Sequence, residues 1–242
     1  MKALTPQKYE VSYSKVSRED AEERLGFLLE EFEEQAIPVV QMLEEANPGN
    51  NGLKKDDLLV IKHKVYERIL EYLVCEGIPT DSTADFNEAN INDLVFTIIS
   101  PVIAACSLKL GRKIRLRREK KITAMDGLYG GFQEFVTVDL IGVGKTKFIF
   151  VVEAKRTTLG QAKIQCLLAM RDMGGINGGG AVYGFVTTGH HWQMIRYDGK
   201  EFKQTDTFDV LFHTMGQGKG RWLQEYSIVI DAIHAALVTA GG

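Results

Sequence analysis

The chain has 242 residues, of which 45% are apolar and 25% charged, with only five prolines. Those proportions exclude a disordered or collagen-like chain and leave room for one large domain, or a medium one with a helical extension. The net charge of −3 excludes a uniformly basic coat for nucleic acid, but the charge is segregated. Residues 107–122 carry eight Lys or Arg against one Glu, so this stretch is +7 and the remainder −10. A basic stripe on an acidic protein suits a directed polyanion site; its structural alternative is an edge strand kept soluble by charge.

Cys75, Cys106 and Cys166 sit in apolar surroundings and lack CxxC spacing, which argues for buried free thiols in a reducing compartment rather than a zinc cluster or disulfides. Residues 1–13 hold no apolar signal core, and no run reaches about 18 apolar residues. The expectation is an intracellular protein, cytoplasmic or nuclear, with no membrane partner.

In chain order, residues 17–77 read as helical. Ser17 precedes Glu19 and Asp20 as a helix start, and Leu25, Leu28, Leu29 and Phe32 recur at helical spacing. Residues 47–52, Asn-Pro-Gly-Asn-Asn-Gly, form a loop signal. A second helix from about Lys55 carries Leu58, Ile61, Val65, Ile69, Tyr72 and Leu73 on one stripe and ends at Gly77. These N-terminal helices have enough apolar surface to dock on the rest of the chain or to form a homodimer. A further helix is expected over 85–110, despite Pro101.

The period then changes. Lys113-Ile114-Arg115-Leu116-Arg117 alternates as a strand, and residues 134–143 and 147–152 are β-rich runs joined as a hairpin. Residues 158–173 read as a helix and 174–180, with five glycines, as a loop. Residues 181–188 and 192–197 read as strands, and 220–239 as a closing helix. The fold expected is α/β, a mixed central sheet flanked by helices over 81–242, preceded by a helical segment over 1–80.

Chemistry concentrates on the hairpin. Strand parity puts Glu153 and Lys155 on one face, at the end of an otherwise apolar strand. Asp139 interrupts the preceding apolar strand. With the turn centred on Lys145, Asp139 lies across from Val151 and diagonal to Glu153, about 7–8 Å apart. Two such carboxylates can grip one hard cation; the alternative is a strand-end ion pair with Lys155.

Asp139, thirteen residues, then Glu153-Ala154-Lys155 and a helix resembles the PD-(D/E)XK motif of the restriction-endonuclease-like superfamily, although Val138 replaces the proline. The resemblance covers about 85–197 and implies that family's core. It implies Mg²⁺ (or Mn²⁺) held by Asp139, Glu153 and the Ala154 carbonyl, with Glu88 as a further acid. It implies Lys155 as the group acting on the attacking water, with Gln161 and Gln165 on the following helix positioning Lys155 or a phosphate. The activity implied is hydrolysis of phosphodiesters, DNA favoured over RNA. Lys113, Arg115 and Arg117 on one strand face, and Arg118 on the other, would contact the backbone, with Lys145 and Lys147 adding to that surface.

Two readings compete with catalysis: a non-catalytic nucleic-acid-binding or protein-interaction module on the same fold, and an effector, since the Glu-Ala-Lys-Arg strand and the Gly-Trp strand pair resemble nuclease-like domains of Crinkler effectors. Residues 142–146 end like a P-loop, but a strand follows where a phosphate-binding helix is required. His190-His191 is assigned to a turn, because neighbours in a strand face opposite ways, and Cys166 to the core.

Overall fold

A computed structural model describes residues 9–46, 52–79, 86–156 and 159–240. The loop expected at 47–52 lies almost wholly outside these residues, as do Asp85 and Thr158, where two helices were expected to begin.

The N-terminal part comprises β1 (Val11–Ser12), α1 (Arg18–Leu25), α2 (Leu29–Glu34), α3 (Val39–Ala46) and α4 (Lys55–Glu76). Ser17 caps α1 as expected, its hydroxyl oxygen accepting the Asp20 N–H. α4 buries Ile61, Val65, Tyr66, Ile69 and Tyr72 against α5 (Glu88–Lys109), so its apolar stripe docks within the chain. Next come β2 (Ile114–Thr123), β3 (Tyr129–Gly142), β4 (Lys145–Ala154) and α6 (Gly160–Asn177). The chain continues through β5 (Val182–Thr187), β6 (His191–Tyr197), β7 (Phe202–Gln204), β8 (Phe208–Asp209), α7 (Lys219–Arg221) and α8 (Ile228–Thr239).

The fold is α/β with one mixed, open sheet of eight strands in the order β1-β3-β4-β5-β6-β7, with β2 added on β3 and β8 on β6. β4 and β5 are parallel and connected through α6; β3–β4 and β5–β6 are antiparallel. Two cores cover the two faces of the sheet. One packs α4, α5 and α8 on Phe135, Phe150, Val152 and Phe185. The other packs α6 and the N-terminal residues Tyr13, Val16, Leu29 and Phe32 on Val136, Val138 and Val151. The segment before α5 therefore contributes to both.

α5 is, by length and composition, the one described helix able to cross a membrane. Here it is a core helix: Leu94, Val95, Ile98, Ile99 and Val102 are fully buried. Several boundaries differ from the sequence reading: β2 runs on to Thr123, β3 begins at Tyr129, and the short strands β1, β7 and β8 were not expected. Gly174 and Gly175 lie inside α6, where a side chain at Gly174 would strike Tyr197, its Cβ 2.9 Å from the ring; only Gly178–Gly180 turn with positive φ. The closing helix is interrupted by a π-helical turn over Trp222–Tyr226, whose Trp222 indole donates to the Val210 carbonyl at 2.9 Å.

The N-terminal segment is pinned to α6 by a buried polar cluster. The Tyr13 hydroxyl donates to Asp172 at 2.5 Å, and Arg24 donates to the other Asp172 oxygen at 3.0 Å. Tyr13→Phe is expected to lower stability by about 1–2 kcal/mol, because a buried carboxylate loses one donor. Denaturant unfolding checks this; an unchanged midpoint would mean that water replaces the hydroxyl.

Candidate active site

The β3–β4 hairpin is tighter than expected. Gly142 pairs with Lys145, leaving the two-residue loop Val143-Gly144, with Gly144 at φ 69. This turn and a bulge between Thr137 and Val138 set Val151 opposite Val136, not Asp139. Asp139 instead pairs with Lys147 and Ile114, and its carboxylate accepts from Arg112 Nε at 2.9 Å. Arg112 in turn donates to the Leu237 carbonyl of α8. Asp139 thus belongs to an ion pair joining β3 and the end of α8, and the structure does not bring it to Glu153.

The acid that takes its place is Glu134. The last hairpin pair is Phe135↔Val152; Glu134 and Glu153 lie one residue beyond it on their two strands, close enough for the Glu134 charge to act on Glu153. Here the ladder opens. The Ala154 N–H donates to the Glu134 carboxylate at 2.7 Å, a side chain standing in for a strand acceptor. On the other flank of β3, Glu119 of β2 sits between the pairs Arg118↔Phe135 and Lys120↔Gln133 with φ 48, the one positive φ among the described non-glycine residues. Such a conformation in a strand is strained and clusters where a site is built.

Lys155 follows β4, its own N–H donating to the Thr187 carbonyl of β5 at 2.9 Å. Its ammonium donates to Glu134 at 2.6 Å and to Glu88. Glu88 is placed by the start of α5, where Asn87 and Asn90 form a reciprocal cap. The helix N-terminus favours the negative charge there. The expected convergence of Asp139, Glu153 and Lys155, with Glu88 as a further acid, is therefore not what forms: Glu88 and Glu134 meet Lys155, Asp139 is paired with Arg112, and Glu153 is buried beside them.

Protonation follows from this packing. Burial and a hydrogen bond with Glu88 push the Glu134 carboxyl up to about 7, against the pull of Lys155. Glu88, accepting from Glu134 and Lys155, is held below the usual range. Two carboxyls this close oppose each other's ionisation, so the pair favours holding one proton between them. Glu153 is 1% exposed, and burial, then the Glu134 charge, raise it well above an ordinary carboxyl. One of its oxygens, Oε1, has no hydrogen-bond partner. Burial alone would lower the Lys155 ammonium, but its two carboxylates outweigh that and raise it.

The site opens into a cleft of about 640 Å³ lined by Glu88, Ala89, Asn92, Asp93, Arg118, Glu119 and Glu134. Arg118 lies over the rings of Phe96 and Phe135 and donates to Asp93 at 3.0 Å. Lys113, Arg115 and Arg117 are exposed on β2, alternating with Ile114 and Leu116 as expected. The α6 glutamines do not act on Lys155. Gln161 donates to the Tyr13 carbonyl at 3.4 Å, and Gln165 is buried on α6 outside the partners of Lys155. Cys166 and Cys106 are core, as expected, with the Cys166 thiol raised by burial and by Glu153, whereas Cys75, at the end of α4, is exposed and not buried as expected. No family model matches this chain, and no curated protein matches it.

Proposed function

We propose that this protein is a metal-dependent phosphodiesterase acting on nucleic acid, DNA favoured over RNA, with a restriction-endonuclease-like core in which Glu134 replaces Asp139. The observation that carries the reading is the convergence of Glu134 and Glu88 on Lys155, with Glu153 buried beside them. The donor set fits Mg²⁺ or Mn²⁺: it is all carboxylate oxygen, and the unpartnered Glu153 Oε1 is a buried acceptor without a donor. Glu134 and Glu153 would hold the ion, with Glu88 and the Ala154 carbonyl as further oxygens. Once bound, it would lower the pKa of a water and offset charge developing on the phosphate.

The protein's own groups supply the rest. Without the ion the Glu134 carboxyl titrates near neutrality, so metal binding there would displace its proton. Lys155 keeps its proton and presents a cation to the phosphate. Arg118 places a guanidinium at the cleft wall, and the exposed Lys113, Arg115 and Arg117 extend that charge along β2. Nuclease assays on single- and double-stranded DNA and RNA, with and without Mg²⁺, test the proposal. Cleavage of none of the four in either metal would overturn it.

A second reading is favoured by one observation. The Lys155 ammonium is already paired by two carboxylates, and Glu153 is sealed. That arrangement also serves a binding module in which the network only closes the strand end. Binding without cleavage in the same assays would select it.

If β2 is the substrate surface, Arg115→Gln with Arg117→Gln should weaken binding equally for unrelated duplexes. It should also flatten the log–log salt dependence by roughly two units, about 0.9 per lost phosphate contact. Fluorescence anisotropy at several salt concentrations measures this. Coincident slopes would leave these side chains as solubilising charge on an edge strand.

A further inference from the structure

We propose that His190, His191 and Asp209 form a second metal site, selective for Zn²⁺ over Mg²⁺, at the same end of the sheet as Lys155. One ring nitrogen of each histidine and one Asp209 oxygen all lie within 4.8 Å of one another. Adjacent residues face apart only within a strand, and His190 is not in one. It belongs to the β5–β6 turn, where Gly189 adopts φ 85, and β6 begins at His191. The two imidazoles therefore stack, 4.4 Å apart and 8° from parallel. β8 pairs His191 with Asp209, whose carboxylate oxygen lies 2.6 Å from His191 Nδ1.

Three features make this a ligand set and not a surface contact alone. Imidazole nitrogen with one carboxylate suits borderline cations such as Zn²⁺, whereas Mg²⁺ prefers oxygen and water. The Leu211 backbone lies beside the His190 ring, where an acceptor on one nitrogen would fix the tautomer and leave the other to ligate. Burial and then the neighbouring His191 hold His190 below its ordinary pKa, the direction that favours the unprotonated ring a metal needs. Ligand atoms around tetrahedral Zn²⁺ stand about 3.3 Å apart, given bonds of roughly 2 Å. His191 and Asp209 are exposed and free to close that gap. Three protein ligands leave a fourth position to water.

The site would clip the β5–β6 turn to β8. It connects to the first site through Thr187: the Lys155 N–H donates to the Thr187 carbonyl at 2.9 Å, and the Thr187 hydroxyl donates to the His191 carbonyl at 2.8 Å. The inference does not depend on the nuclease reading, since it uses none of the carboxylates at Lys155.

Isothermal titration of chelator-stripped full-length protein with Zn²⁺ tests it, together with Co²⁺ absorption as a report of nitrogen ligation. We expect one Zn²⁺ per chain, undisturbed by excess Mg²⁺. Affinity should fall at least about tenfold in His191→Gln and in Asp209→Asn and stay at the wild-type value in Glu153→Gln. Both exposed variants should melt as the metal-free wild type does. The proposal is overturned if no Zn²⁺ binds, if both exposed variants bind like wild type, or if Glu153→Gln is the variant that loses the ion.

Discussion

Glu134→Gln, Glu153→Gln and Lys155→Ala are each expected to reduce Mg²⁺-dependent cleavage by about 10²-fold or more, while Asp139→Asn leaves the rate at its wild-type value. The contrast follows from the register. Glu134 is the acid at the opened end of the hairpin, near Glu153 and bonded to Lys155. Asp139 is paired with Arg112, five residues further along β3. Loss of a positioned acid–base or metal-holding group removes roughly 10²–10⁴-fold. If the three groups act on one reacting phosphate as proposed, double variants should fall little below the singles. Glu88→Gln should lose less, since Glu88 is half-exposed at the helix start. Rates per folded molecule, with folding checked by melting, decide the matter. Loss of activity in Asp139→Asn with a fully active Glu134→Gln would restore Asp139 and discard the revised site.

Local patterns were legible in the sequence where one element sets them. The α4 stripe and the alternation over Lys113–Arg117 depend only on the period of a helix or strand, whereas the face expected to hold both Glu153 and Lys155 ends with β4 at Ala154, and the Lys155 ammonium turns to Glu88 and Glu134. Pairing was not legible, because it depends on a turn. Centring the hairpin on Lys145 instead of on Val143-Gly144 shifts every cross-strand neighbour, and with the bulges in β3 it is Glu134, not Asp139, that lies near Glu153. Glu134 did carry a signal: it opens a β-rich run, with Glu153 on the next strand. The histidine pair was hidden for a similar reason. β8 is two residues long, too short for any periodicity, yet it brings Asp209 to His191. The strain at Glu119 has no signature in composition at all.

Metal-free protein is expected to lose stability as pH rises from about 5 to 8, and the loss should be smaller in Glu134→Gln and Glu153→Gln. The sign follows from linkage. A carboxyl whose pKa is higher folded than unfolded favours the folded state while protonated, and that advantage disappears as pH climbs through the folded value. For Glu134 the window runs from its ordinary 4.5 to about 7, corresponding to roughly 3 kcal/mol at full ionisation. Burial raises Glu153 in the same direction, extending the decline beyond neutrality. Glu134→Gln also deprives Lys155 of a carboxylate, so its melting temperature starts lower; the readout is the slope with pH, not the starting point. Glu153→Gln removes a buried acid with an unpartnered oxygen and should melt above wild type at pH 8 while matching it near pH 5. Millimolar Mg²⁺ should flatten the wild-type curve at high pH by binding the ionised carboxylates, with a gain of about 2.7 kcal/mol at a hundred times its Kd. Neither variant should show the full gain. Thermal melts of the three proteins across this pH range, in chelator and in Mg²⁺, test the argument. Parallel curves for wild type and both variants would mean that Glu134 and Glu153 are ionised throughout and that the carboxylate site is not what the cation senses.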